Sequence, residues 1–212
     1  DRPSVGVVPT GEELVQRAPG PGEVVETNGL TVSRYVERWG GRATYRDVVT
    51  DDEQALRAAI QRDLTKDVVV TTGGSSVGER DLIPEVVDRL GEGFVPVACI
   101  VNAVQFLRPA LKRAAGLPCR DHPTRRATLT RKIPSEPGVR TFARVRLSEP
   151  DEEDGDGTAD ASDGLAATPT RASGSGVLSS VALADGWVVV PEGVEGYDAG
   201  RTVDVEDWEY YA

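Results

Sequence analysis

The sequence predicts two domains in series: a three-layer α/β/α sandwich with a mostly parallel sheet, then a small all-β barrel. Three observations carry this. In residues 1–118, short apolar runs alternate with amphipathic helical patterns, as βαβ units do. One run, Asp67-Val-Val-Val-Thr-Thr72, is continuous, like a strand covered on both faces. In residues 119–212 the apolar period shortens to two, the signature of half-buried strands.

The elements follow in order. Val5-Gly-Val-Val8 reads as a buried strand that ends at the turn Pro9-Thr-Gly11. After the Gly/Pro-rich loop Ala18–Gly22, Asn28 is placed to cap a helix. Val32, Tyr35, Val36 and Trp39 form that helix's stripe, and Gly40-Gly41 ends it. A strand is expected over Ala43–Val49. Asp51, with Gln54 three residues on, reads as a capping box for a helix that buries Leu56, Ala59, Ile60 and Leu64. The Asp67–Thr72 strand runs into Gly73-Gly74, and Leu82–Leu90 reads as a helix. Pro96–Ala115 is a long helical stretch that Pro109 should kink or divide. Beyond it, Ala127–Ile133, Thr141–Leu147, Val177–Leu183, Trp187–Val190 and Thr202–Val205 read as strands, with turns at Gly138 and Ala184-Asp-Gly186. That set is too short for a large sandwich and fits a small barrel. Seven of the 13 residues in Asp151–Asp163 are acidic, which reads as a solvated loop without EF-hand spacing.

Composition narrows the function. The 212 residues hold 24 Lys+Arg against 35 Asp+Glu, a net charge of −11. Such a surface argues against nucleic acid and anionic membranes as partners. No apolar run approaches the ~20 residues of a membrane helix, and no signal peptide opens the chain. The lack of Met implies that residue 1 is not a natural start. Cys99 and Cys119 are too few for a disulfide scaffold, so a reducing cytoplasm is expected. Only three basic residues are Lys (Lys66, Lys112, Lys132), and this balance resembles proteins of concentrated salt, where self-repulsion is screened. His122, the single histidine, sits at the junction of the two domains and reads as a linker residue.

Four carboxylate-bearing segments stand at the carboxyl ends of expected strands, where ligands bind in open α/β sheets. They are Thr10-Gly-Glu-Glu13, Glu26-Thr-Asn28, Thr50-Asp51-Asp52 and Gly73-Gly-Ser-Ser-Val-Gly-Glu-Arg-Asp81. In the last, Gly73, Gly74, Ser75, Ser76 and Gly78 can turn backbone N–H groups toward a phosphate or another oxyanion. Glu13, Asp51 and Asp81 are candidates to hold a divalent cation between protein and phosphate. Helix capping alone would also account for Asp51 and Asp81, and a solvated loop for Glu13.

These segments, in this order and spacing, resemble the molybdopterin molybdotransferases, the bacterial, archaeal and gephyrin E-domain family. Val7-Val-Pro-Thr-Gly-Glu-Glu-Leu-Val15, Glu26-Thr-Asn28, Asp51-Asp52 and Asp67–Asp81 carry the likeness. Arg140–Arg146, Gly174–Ser180 and Ala184–Gly186 resemble the family's C-terminal barrel. The resemblance implies molybdenum-cofactor biosynthesis: metal-dependent insertion of molybdate into adenylylated molybdopterin with release of AMP. It implies Mg²⁺ as cofactor and a homodimer at full length. It assigns Glu13, Asp51 and Asp81 to catalysis and metal, and Thr10, Gly11, Asn28, Gly73, Gly74, Ser75, Ser76 and Gly78 to substrate. The chain departs from the family in two places. Gly11-Glu-Glu-Leu14 stands where the family has Gly-Asp-Glu-Leu. Gly91-Glu-Gly-Phe-Val-Pro96 runs almost directly into the long helix, so a strand, a lysine-bearing loop and another strand are missing. Two expectations follow: the segment belongs to the protein but not to these 212 residues, which is favoured because its loss would leave a gap in the sheet, or the chain is a degenerate form, a non-catalytic pterin-binding or scaffold module of the same fold.

Overall fold

The computed structural model describes residues 1–73, 83, 86, 87, 89, 100–149, 164–170 and 184–209. They form two compact units, Asp1–Cys119 and Arg120–Ala212. The first is built on β1 (Ser4–Pro9), whose Val5, Val7 and Val8 are fully buried. β1 lies between β4 (Arg42–Tyr45) and β5 (Val68–Thr72), parallel to both. Val7 pairs with Tyr45 on one side and with Val70 on the other. The Gly/Pro-rich stretch after β1 is clasped by two short parallel strands, β2 (Leu14–Val15) and β3 (Val24–Val25).

The helices cover opposite faces of this sheet. α1 (Asn28–Arg38) buries the expected Val32, Tyr35 and Val36, and Trp39 caps its end with its ring stacked on Tyr35 at 5.3 Å. Gly40 N–H donates to Glu37 O and Gly41 N–H to Val36 O, the paired bonds of a Schellman stop. α2 (Glu53–Asp63) starts one residue later than expected. Its cap is Asp52, whose carboxylate accepts from Ala55 N–H at 2.9 Å, not Asp51 with Gln54. Asp52 has the extended backbone of a cap, with the Ala55 amide three residues on. Leu56 and Ile60 of α2 pack with Ile83, Val86 and Val87, which are helical within the expected Leu82–Leu90 helix. The remainder of that helix lies outside the described residues.

A buried ion pair fixes α2 to the sheet. Asp63, fully buried at the end of α2, takes a bidentate hydrogen bond from the Arg46 guanidinium. A side chain on Gly6 would place its Cβ 2.7 Å from Asp63 Oδ2, so glycine at the middle of β1 makes room for the carboxylate. That hydrogen bond first, and then the charge of Arg46, hold the Asp63 carboxyl below the usual carboxylate range.

The strand expected over Ala43–Val49 stops at Tyr45. Arg46 N–H still donates to Val7 O, but the next donor to β1 is Val49, bonded to Pro9 O. The offset to β1 moves from 38 at Val7↔Tyr45 to 39 at Thr10↔Val49, which is one extra residue and hence a bulge at Asp47–Val48. The long helix is divided as Pro109 requires. α3 (Ile100–Asn102) passes into a π-helical stretch, Ala103–Leu107, and then into α4 (Arg108–Ala114). Ile100, Ala103, Val104, Leu107 and Leu111 are buried. Cys99 lies outside the described residues; Cys119 is exposed, with its sulfur 3.7 Å from an Arg108 guanidinium nitrogen.

The second unit is a closed five-stranded barrel in the order β10 (Gly186–Val190), β12 (Thr202–Glu206), β6 (Thr124–Leu129), β9 (Leu165–Pro169), β8 (Thr141–Ser148). Alternation fills it: Ala127, Leu129, Val145, Ala167, Val188, Val190, Val203 and Val205 point inward. The expected Ala127–Ile133 strand is two elements, β6 and the short β7 (Ile133–Pro134), which pairs with β11 (Gly196–Tyr197). β9 was not expected, because Leu165-Ala-Ala-Thr-Pro carries weak strand formers. The expected Val177–Leu183 strand and the acidic loop 151–163 lie outside the described residues. His122 belongs to this unit, its ring edge-on to Trp187.

The buried pair yields a stability prediction. Asp63→Ala removes both hydrogen bonds of the partly exposed Arg46 and lowers unfolding stability by about 1–2 kcal/mol, measurable by urea denaturation. Because the folded carboxyl titrates below its unfolded value, its contribution is present above about pH 4 and fades as pH falls through the folded value. The gap between wild type and Asp63→Asn should therefore narrow in acid.

Candidate functional site

The carboxyl edge of the sheet is where the expected residues gather. β1 ends in Thr10 and Gly11, β5 in Thr72 and Gly73, and the bulged segment brings Val49 alongside Thr10. Thr10 N–H donates to Thr72 O at 2.8 Å, and Gly11 N–H to Val49 O at 3.1 Å. Gly73 has φ +115°, and a Cβ there would lie 1.9 Å from Thr10 O. Only glycine fits this close turn from strand to loop.

Two polar groups at this edge are unusual. Thr10 is fully buried and Thr72 is 5% exposed, yet neither Oγ1 has a hydrogen-bond partner among the described residues. A buried hydroxyl without a partner costs roughly 1–3 kcal/mol. Pro9 pairs with Thr72, so Thr72 lies on the α1 side of the sheet and Thr10, the next residue after Pro9, on the α2 side.

On the α1 side, Glu26 is 5% exposed, and its carboxylate is fully engaged. Oε1 accepts from Gly29 N–H at 2.6 Å, and Oε2 accepts a short hydrogen bond from the Tyr45 hydroxyl. The start of α1 is therefore tied by Glu26 and not, as expected, by an Asn28 cap; Asn28 is the first helical residue, and Thr27 at the cap makes no side-chain bond. A Cβ on Gly29 would lie 3.1 Å from the Tyr45 ring, 3.2 Å from Thr72 Oγ1 and 3.3 Å from Glu26 Oε1. The helix start, the phenol, the carboxylate and the Thr72 hydroxyl thus meet around one residue. Burial, then the hydrogen bond from Tyr45 to Glu26, then the charges of Glu26 and Asp47 push the phenol well above the ordinary tyrosine range.

The acids assigned from sequence are less concentrated. Glu13 is exposed, and its carboxylate folds back toward Gly11, 3.0 Å from where a Cβ would stand. Asp51 is exposed between the bulged segment and α2. Asp81, Gly74, Ser75, Ser76 and Gly78 lie outside the described residues. Among the described residues no three His, Cys, Asp or Glu side chains group as a metal site would need. Asp81, the third acid that the resemblance assigns to a cation, lies outside the described residues, and no step is routed through a metal. Tyr45 was read only as a strand residue. Glu26 was read only as one acid of a segment, because Glu is not among the usual caps. The signal available was an acid three residues ahead of a glycine at a helix start.

Among the described residues no helix is long and apolar enough to cross a membrane. Two family models match the chain. Residues 6–114 match the model described as "Probable molybdopterin binding domain", and residues 126–208 match "MoeA C-terminal region (domain IV)". A relative from Methanocaldococcus jannaschii, named "Putative molybdopterin biosynthesis protein MJ0666", is 28% identical over 95% of this chain and 54% of its own length. The molybdopterin molybdenumtransferase of Bacillus subtilis is 25% identical over 96% of this chain and 52% of its own. The crystal structure of a molybdopterin biosynthesis MoeA protein from Pyrococcus horikosii superposes with a TM-score of 0.76 at 28% identity, covering 99% of this chain and 55% of that one. The chain thus spans about half the length of the curated relatives it matches. The archaeal match runs over 242 positions, while 95% of 212 is about 201 residues, so that relative carries about 40 residues inside the matched span with no counterpart here. The join expected at Gly91–Pro96 lies outside the described residues. The two models in series, the α/β sheet with its closed barrel, and the likeness along almost the whole chain lead to one conclusion: this chain belongs to the molybdopterin molybdotransferase family.

Proposed function

We propose that this chain supplies the molybdopterin-handling unit and the barrel of an enzyme that inserts molybdate into adenylylated molybdopterin and releases AMP. The observation that carries this reading is the buried Thr72 hydroxyl, without a partner among the described residues, at the carboxyl edge of a parallel sheet. A phosphate or oxyanion seated at this edge on the α1 side would supply the acceptor that the Thr72 hydroxyl lacks among the described residues. In this reading the chain's own residues bind and orient, and orientation lowers the barrier by presenting the anhydride and the oxyanion to each other. The names of the relatives and the two family models support the substrate class. Magnesium enters the reading through Glu13, Asp51 and Asp81, and a homodimer through the family resemblance. One observation favours a second reading, a non-catalytic pterin-binding or scaffold module: the relative's extra residues inside the matched span.

Turnover separates the two. The full-length protein, incubated with adenylylated molybdopterin, molybdate and Mg²⁺, should release AMP, measured by chromatography; no release leaves the scaffold reading. Chelation should stop release and added Mg²⁺ restore it; release indifferent to chelator removes the metal from the reaction. Thr72→Val should lower kcat/KM about tenfold while the urea midpoint stays level or rises, since the substitution deletes a hydroxyl that folding leaves unpaired. Unchanged turnover removes Thr72 from the site. The acid excess gives a further expectation. Raising KCl from 0.1 to 1 M shortens the screening length from about 10 to about 3 Å, and the thermal midpoint should climb with it.

A further inference from the structure

We propose that Glu26 and Tyr45 are positioning residues: together they set where Thr72 presents its hydroxyl, and so how tightly the site holds its phosphate-bearing ligand. The inference rests on the functional reading above and concerns the same edge of the sheet.

The argument begins with the location of a charge. A carboxylate that is 95% buried beside a site for anionic substrates opposes those substrates unless its charge is already balanced. Here it is balanced from within. One oxygen takes the Gly29 N–H at the start of α1, where the helix dipole favours negative charge, and the other takes the Tyr45 phenol from β4. Glu26 thereby occupies the first turn of α1, so that helix start holds the protein's own carboxylate and not the ligand. Its two bonds tie a helix to a strand, and the tie closes around Gly29. A Cβ on Gly29 would stand within 3.3 Å of the Tyr45 ring, Thr72 Oγ1 and Glu26 Oε1. There is no slack for α1 to shift without moving the wall against which Thr72 rests. Thr72 Oγ1, buried and unpartnered, is the atom whose placement this tie governs.

The titratable neighbours of Tyr45 are Glu26 and Asp47, both acidic. Burial first, then the hydrogen bond to Glu26 and the sign of these neighbours, keep the phenol protonated, so it remains a donor across the working range of pH. Loss of that proton would put two negative charges in contact and open the tie. The raised phenol also makes a stability statement. Its contribution is present below the ordinary tyrosine value of about 10 and is lost as pH rises through the folded value.

The test compares Tyr45→Phe, which deletes only the hydroxyl, with Glu26→Gln, which keeps the shape and one acceptor oxygen, in the full-length protein. Steady-state AMP release gives KM and kcat. Amide hydrogen exchange at Gly29, and tyrosine titration by ultraviolet absorbance, report the tie without turnover. Tyr45→Phe should raise KM for adenylylated molybdopterin about tenfold with kcat within about twofold, and should speed exchange at Gly29. Glu26→Gln should retain part of the wild-type KM and bring one tyrosine back toward an ordinary titration. If Tyr45→Phe and Glu26→Gln both keep the wild-type KM while Thr72→Val raises it, the positioning role is overturned and the functional reading stands. If kcat falls with KM unchanged, the pair acts on the chemical step and the proposal is again overturned. A wild type that releases no AMP while Gly29 exchange still responds to Tyr45→Phe overturns the functional reading and leaves only a structural tie.

Discussion

Everything at the candidate site hangs from one constraint: β1 must hydrogen-bond to a parallel strand on each side along its whole length. Parallel strands do not meet through tight turns, so both neighbours arrive by way of helices, and those helices take opposite faces. All three strands then end at the same edge, and the chain leaves that edge at Thr10, after Tyr45 and at Thr72. The site is the place where a ladder with no room for error runs out. The Arg46–Asp63 pair and the bulge at Asp47–Val48 are adjustments to that constraint. The first locks α2 against Gly6, and the second lets β4 deliver Val49 to Thr10 after its own strand has ended.

The two units show different economies. In the barrel, stability follows from counting by two. Alternate residues such as Ala127 and Leu129, Val188 and Val190, and Val203 and Val205 are small or branched and apolar, and closure leaves the barrel no free edge. In the α/β unit, several decisive groups are polar and buried: Asp63, Glu26, Thr10 and Thr72. Asp63 and Glu26 are satisfied within the protein, one by a guanidinium and one by a phenol and a helix amide. Thr10 and Thr72 are not. That split separates polar groups satisfied within the protein from two hydroxyls without a partner among the described residues.

The sequence made the α/β-then-β order legible, because apolar periodicity survives without any knowledge of contacts. Val32, Tyr35, Val36 and Trp39 could be placed on one helix face for this reason, and so could the division of the long helix at Pro109. What escaped were features that depend on distant partners. The bulge after Tyr45 has no local signature and exists because Val49 must reach Pro9. The capping residue of α2 slipped by one, since Asp51 and Asp52 look alike until the helix start is known. β9 is too weak in strand formers to announce itself. At the site, Thr10, Gly11 and Gly73 could be read from their position after apolar strands. Glu26 and Tyr45 stand 19 residues apart, and their meeting requires the sheet to be assembled first.

The aromatic residues add a consequence for observing this molecule. Of its three tryptophans, Trp39 is stacked on Tyr35 in the α/β unit, while Trp187 and Trp208 stack on each other at 4.8 Å in the barrel unit. The Trp187 indole N–H is bonded to Glu206 at 2.8 Å, and Phe142 meets the same ring edge-on. Two indoles so close couple their strong far-ultraviolet transitions, so the barrel unit should show an exciton couplet in far-ultraviolet dichroism that the lone indole of the other unit cannot produce. Each unit therefore has its own optical signature, and the melting of one is distinguishable from the melting of the other without a label.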